Sequence, residues 1–175
     1  MILASVFEGW EGYQRSLEHA VAALTSTQLA WRPAAGVRSL GEVIRHLALG
    51  RITWFARMNA PDMDEVLRRV PEWHVNEEAV PADDVLALAE WLCLSWQPIQ
   101  ATLEAWSVDD LLRTYRLCWD GQVYAISRQW TVWRVLSHDH HHGGQIALML
   151  AMQGIPAHEL RALGGHITAP PLAVE

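Results

Sequence analysis

This chain of 175 residues contains no lysine: all thirteen of its basic residues are arginine. That absence removes Schiff-base chemistry and the Walker A phosphate loop, both of which need a lysine amine. Cysteine is nearly missing as well. Cys93 and Cys118 form neither a CxxC pair nor a disulfide framework, so both read as reduced, structural residues. No apolar run approaches the roughly 18–20 residues that a membrane span requires. A basic cluster is also absent, and the net charge of −7 argues against nucleic acid or an anionic membrane as the main partner. Glu8 and Glu11 arrive too early for a secretory signal, so the expected location is the cytoplasm.

What is present is an ordinary globular composition, 51% hydrophobic and 19% charged, in a length that suits one domain with a real core. The ten tryptophans read as bulky core filling rather than ligand stacking. Four segments carry helical periodicity. Leu3, Val6, Trp10, Tyr13, Leu17, Ala20 and Leu24 alternate three and four apart. After a connection marked by Pro33 and Gly36, Ser39 and Glu42 form a capping box that opens a second helix. Its apolar face is Leu40, Val43, Ile44, Leu47, Trp54 and Met58.

Residues 60–82, with three prolines, read as a long connection holding at most one helical turn. A third helix starts near Asp83 and continues to Trp106, with a kink expected at Pro98. The stretch "TYRLCWDGQVYAIS" is β-prone on both sides of Asp120-Gly121, a two-residue hairpin signal. The fourth helix runs from about Arg128 to Gln153 and stops at Gly154. The fold class expected is therefore all-α: a four-helix bundle over residues 1–155, with a small β-hairpin before its last helix, followed by a turn and tail over 156–175.

The chemistry concentrates in "LSHDHHHGGQI", from Leu136 to Ile146. Val135, His138, His142, Gln145 and Met149 continue a three-four seam, so two histidines occupy positions where a bundle expects Leu or Val. Side chains four apart lie about 5–6 Å from each other on one helix face, close enough to share an ion. His46, at the edge of the second helix's apolar face, is the candidate third ligand, and Gly50 one turn on leaves space beside its imidazole. His19 is the rival third ligand but lies off its seam and reads as solvated. His74, His158 and His166 fall in expected loops or the tail, and His140 points to a different side.

Three metal readings compete. His138-Asp139-His140-His141-His142 resembles HExxH, but with aspartate where that motif uses the longer glutamate as base. A carboxylate-bridged di-iron bundle needs Glu-x-x-His, and no such tetrapeptide occurs. A structural zinc site takes four protein ligands, whereas three good ones are visible here. Three histidines with an open position describe a catalytic type of site better.

At these residues the chain resembles the DinB/YfiT-like superfamily of metalloenzymes. The likeness covers roughly Leu3 to Gly154 and rests on "LAWRPAAGVRSLGEVIRHLALGRITWF" together with "LSHDHHHGGQIALMLAMQGI". It implies a four-helix bundle of up-down-down-up topology and a divalent metal, zinc or nickel first, with iron or manganese as alternatives. The family's histidine on the second helix matches His46, and its His-x-x-x-His pair matches His138 and His142. Relatives include thiol-dependent S-transferases and isomerases, and many are dimers. Relatives frequently carry arginine where this chain has Gly143, so a substrate anchored by that arginine is not expected here. The Gly143-Gly144 pair reads first as close packing against a neighbouring helix or subunit, and second as room for a ligand.

The leading functional expectation is a metal-dependent enzyme acting on a small molecule, with a low-molecular-weight thiol as cosubstrate. Metal-dependent hydrolysis and a non-catalytic metal-binding stress-response protein are the alternatives. Gln145 is a candidate contact for a ligand or its water. A homodimer is expected because Trp130, Trp133, Leu148 and Leu150 lie off the fourth helix's seam.

Overall fold

The computed structural model describes residues 2–70 and 81–157. Its helices are α1 (Glu8–Ala22), α2 (Ser26–Ala30), α3 (Leu40–Arg57), α4 (Met63–Arg69), α5 (Val85–Ala105) and α6 (Arg128–Met152). Strands β1 (Thr114–Trp119) and β2 (Gln122–Ser127) pair antiparallel just before α6. None of the helices is long and apolar enough to cross a membrane.

Cross-helix pairs fix the topology. Trp10 meets Trp96 and Gln14 bonds the Leu92 carbonyl, so rising numbers on α1 run against α5. Trp10 meets Asp139 while Tyr13 packs on Gly143, which makes α1 parallel to α6. Arg51 meets Asp139 while Trp54 meets Trp130, so α3 runs against α6. The four long helices are thus up-down-down-up. The core between them includes Leu17, Ile44, Leu47, Ile52, Phe55, Leu88, Leu92, Ile99 and Ile146, each wholly buried.

The expected start and stop signals act as read. Ser39 Oγ accepts from the Glu42 amide while the Glu42 carboxylate accepts from the Ser39 amide, and all six residues of the expected apolar face of α3 are buried. Asp120 and Gly121 both take positive φ, +50° and +73°, the pairing that a type I′ hairpin turn demands. Gly154 closes α6 at φ +72°.

Several expectations need correction. The first helix begins at Glu8, after a 3-10 turn over Leu3–Ser5, and Val6 is exposed. A second capping box, Thr25 with Gln28, starts the short α2 inside what read as plain connection. The crossover contains α4, two turns rather than one. Pro98 deprives the Leu94 carbonyl of its helical donor, yet α5 continues through it without interruption. Cys93 and Cys118 are free and exposed, so neither serves the core. Tryptophan divides between roles: Trp10, Trp54, Trp96 and Trp106 are buried, while Trp119, Trp130 and Trp133 are exposed. On α6, Leu148 is exposed as expected but Leu150 is buried. His74, His158 and His166, with the tail from residue 158, lie outside the described residues.

Candidate metal centre

The three predicted histidines converge. His46 on α3 and His138 and His142 on α6 bring one ring nitrogen each within 4.8 Å of the others. His138 Nε2 lies 3.3 Å from His46 Nε2. Two nitrogens bound tetrahedrally at about 2.0–2.1 Å from one zinc ion sit about 3.3–3.4 Å apart, so this spacing fits two ligands of a single ion. The His142 ring stands nearly perpendicular to that of His46, with centroids 4.8 Å apart.

Both protonation and orientation suit metal binding. His138 is held neutral, with its pKa lowered to about 3, first by desolvation and then by His142 and His46. Desolvation also lowers His142, against its hydrogen bond to the Gln145 side chain, which raises it. Neutral imidazoles are what a divalent ion requires. His142 Nδ1 lies 2.7 Å from Gln145 Oε1; with the amide oxygen accepting, the ring's proton is fixed on Nδ1 and its Nε2 lone pair is left for an ion. Gln145 is exposed, and its amide also reaches His141. This seam residue therefore braces the histidines themselves, where the sequence suggested a contact to a ligand or its water.

Gly50 makes room for an imidazole, though for that of His138 rather than of His46. A Cβ at that position would stand 2.6 Å from His138 Cε1 and 3.1 Å from its Nε2. Gly50→Ala is accordingly expected to push the ring off the site while favouring the helix by about 1 kcal/mol. The expected result is metal affinity weaker by about 10–100-fold, the range for lost ligand support, with no drop in melting temperature of the metal-free protein. Metal titration and thermal unfolding on the same variant check this, and unchanged affinity would refute it.

His19 is exposed and does not join the cluster, and His140 instead stacks on Tyr13 with centroids 4.7 Å apart. The HExxH-like reading fails on geometry. Asp139 is wholly buried and turns away from the histidines toward Arg51, which is equally buried. Arg51 Nε donates to both carboxylate oxygens at 2.9 and 3.0 Å, and Nη2 lies 2.8 Å from Oδ2. Trp10 Nε1 donates to the same Oδ2 at 2.8 Å, and Arg51 Nη1 donates to Gln14 Oε1 at 2.5 Å. This network clamps α1, α3 and α6 together one residue away from His138 and three from His142. Gly143 belongs to it as well: a Cβ there would strike the Tyr13 hydroxyl, which donates to the Asp139 carbonyl at 2.7 Å. Gly144 has open space beside it. The close-packing reading thus applies to Gly143, against α1, and not to Gly144.

The model of the DinB superfamily matches residues 10–146. The chain belongs to the DinB superfamily. A DinB-like protein from Bacillus cereus ATCC 10987, solved by crystallography, has a similar fold with a TM-score of 0.64 at 16% identity, over 86% of this chain and 91% of that one. No curated protein matches the sequence. The matched DinB region spans α1 to the middle of α6 and includes all three histidines.

Proposed function

We propose that this DinB-superfamily chain is a metal-dependent enzyme that joins a low-molecular-weight thiol to a small electrophile. The observation carrying this reading is a partly exposed cluster of three imidazoles, with no fourth histidine, cysteine or carboxylate joining it among the described residues. Three protein ligands leave a coordination position open, as in catalytic sites. A divalent ion there, zinc or nickel, supplies Lewis acidity that makes a thiol or water nucleophilic near neutral pH. In the reaction proposed, the thiol sulfur forms a bond to an electrophilic carbon, the leaving group departs with its electron pair, and the thiol proton passes to solvent. His46, His138 and His142 hold the ion, Gln145 orients His142, and the Arg51–Asp139 pair fixes α3 against α6.

The test is metal analysis of protein purified without added metal, then conjugation assays with small thiols and electrophiles. About one ion per chain with ion-dependent thiol consumption supports the reading. An ion without any thiol-dependent turnover would point to the non-catalytic alternative.

The metal-free protein should remain folded near neutral pH, because the apolar seams rather than the ion supply most of the folding energy, unlike in a zinc finger. Its stability should depend on pH with a defined sign. His138 binds no proton in the folded state until about pH 3, whereas an unfolded histidine takes one below about 6.5. Stability is therefore full above about pH 6.5 and is lost progressively as pH falls toward about 3. Thermal unfolding of chelator-treated protein should show a lower midpoint at about pH 5.5 than at about 7.5, either side of the ordinary histidine pKa. Equal midpoints would contradict this assignment, and unfolding on chelation at the higher pH would favour a purely structural metal.

A further inference from the structure

Beside the histidines, two arginines stand out by the company they keep. Arg15, Arg32, Arg51, Arg68, Arg69 and Arg113 each have a carboxylate partner. Arg38, Arg57, Arg116, Arg128 and Arg134 have none among the described residues, in a chain whose net charge is −7, and of these Arg57 and Arg134 share a single aromatic partner. Both guanidinium groups instead lie over one indole, that of Trp54, at 4.6 and 4.5 Å from its centroid. Stacking on a ring holds a guanidinium in place while its N–H groups stay free for a planar oxyanion. Arg134 sits one helical turn before His138, about 6 Å along α6, and its charge reaches the His138 ring.

The same indole touches an apolar recess. Trp54 makes edge contacts with Trp119 and Trp130, at 6.3 and 5.3 Å, and those two side chains also line a groove of about 650 Å³ between the hairpin and the start of α6. That volume lies within the roughly 300–1,000 Å³ of small-molecule sites. Tyr124 and Ile126 complete its apolar walls, and Asp120 in the hairpin turn is the acidic group lining it. Arg134 also lies over Trp130, 5.4 Å from its centroid, which joins the cationic pair to the groove.

We propose that Arg57 and Arg134 receive the oxyanion of a flat organic acid whose apolar body lies against Trp119 and Trp130. This deepens the reading of the histidine centre as a small-molecule site, because it names the class of substrate presented to it. Carboxylate and phosphate share the required chemistry: planar or forked oxygens that accept paired N–H bonds.

The probes are 2-naphthoate, 2-naphthyl phosphate and the uncharged 2-naphthamide, titrated calorimetrically into the metal-loaded protein and again after chelation. At least one anion should bind about tenfold tighter than the amide, as charged hydrogen bonds allow, and this preference should survive chelation. Arg57→Gln with Arg134→Gln should remove the preference while leaving amide binding within about twofold, and Trp130→Ala should weaken all three probes. Arg134→Lys, which keeps the charge, should retain part of the preference and guards against misreading a folding defect. Equal binding of anion and amide, no binding of any probe, or a preference that disappears with the metal would each overturn the proposal. Thiol transfer that ignores substrate charge would strike the anion site alone; anion preference without thiol transfer would strike only the enzymatic reading.

Discussion

Changing His138 to Ala is expected to reduce bound metal to background and to abolish any ion-dependent turnover, with the helical signal preserved. Losing an outer partner of a metal ligand already costs about 10–100-fold in affinity, and losing one of only three ligands should exceed that. His46→Ala and His142→Ala should behave alike, since the three nitrogens form one cluster. His19→Ala and His140→Ala should keep about one ion per chain, because neither ring joins that cluster. Metal analysis of the five variants decides the matter. If all three ligand variants keep a full equivalent, the centre is misassigned.

Asp139→Ala should be the most destabilising single change near the site. It leaves the Arg51 guanidinium charged, wholly buried and without its carboxylate. Breaking a buried pair in this one-sided way costs about 3–5 kcal/mol, a large part of the roughly 5–15 kcal/mol that a domain of this kind possesses. Replacing both partners, as Arg51→Met with Asp139→Leu, should recover part of that loss, because no charge is then stranded. Recovery should be incomplete, since Trp10 Nε1 and Gln14 Oε1 lose their partners too. Urea unfolding of the single and double variants measures both effects. A single-variant loss below about 1 kcal/mol would show that the pair does not clamp the helices, given the usual cost of a broken buried pair.

The three clustered histidines were legible in the sequence because sharing one helix face imposes a spacing. His138 and His142 interrupt an apolar seam at the four-residue step of a helix, and His46 sits on an otherwise apolar face. The Ser39-Glu42 capping box, the Asp120-Gly121 turn and the terminal Gly154 were legible for a related reason: each is a local bond or backbone conformation that few residues satisfy. Asp139 and Arg51 were not legible, because their partnership spans 88 residues and charged residues ordinarily read as solvated. A faint signal existed, in that Arg51 follows Leu47 by four residues on a mostly apolar helix and Asp139 follows Val135 likewise. The true tenant of the space beside Gly50 was equally hidden, since it belongs to another helix. Among the exposed tryptophans, Trp130 and Trp133 were legible as lying off the seam of the last helix, whereas Trp119, on a strand, had no helical period to place it.

His46 and His138 face each other across 92 residues of chain. Neither α3 nor α6 alone can gather the three nitrogens, so the complete ligand set exists only after those distant helices have docked. Bringing such ends together is an entropic barrier met early in folding, before an ion has anything to grip with three ligands. An ion bound there would therefore be felt in the lifetime of the native state rather than in the speed of reaching it: it would slow escape from the docked form and leave the rate of arrival almost untouched.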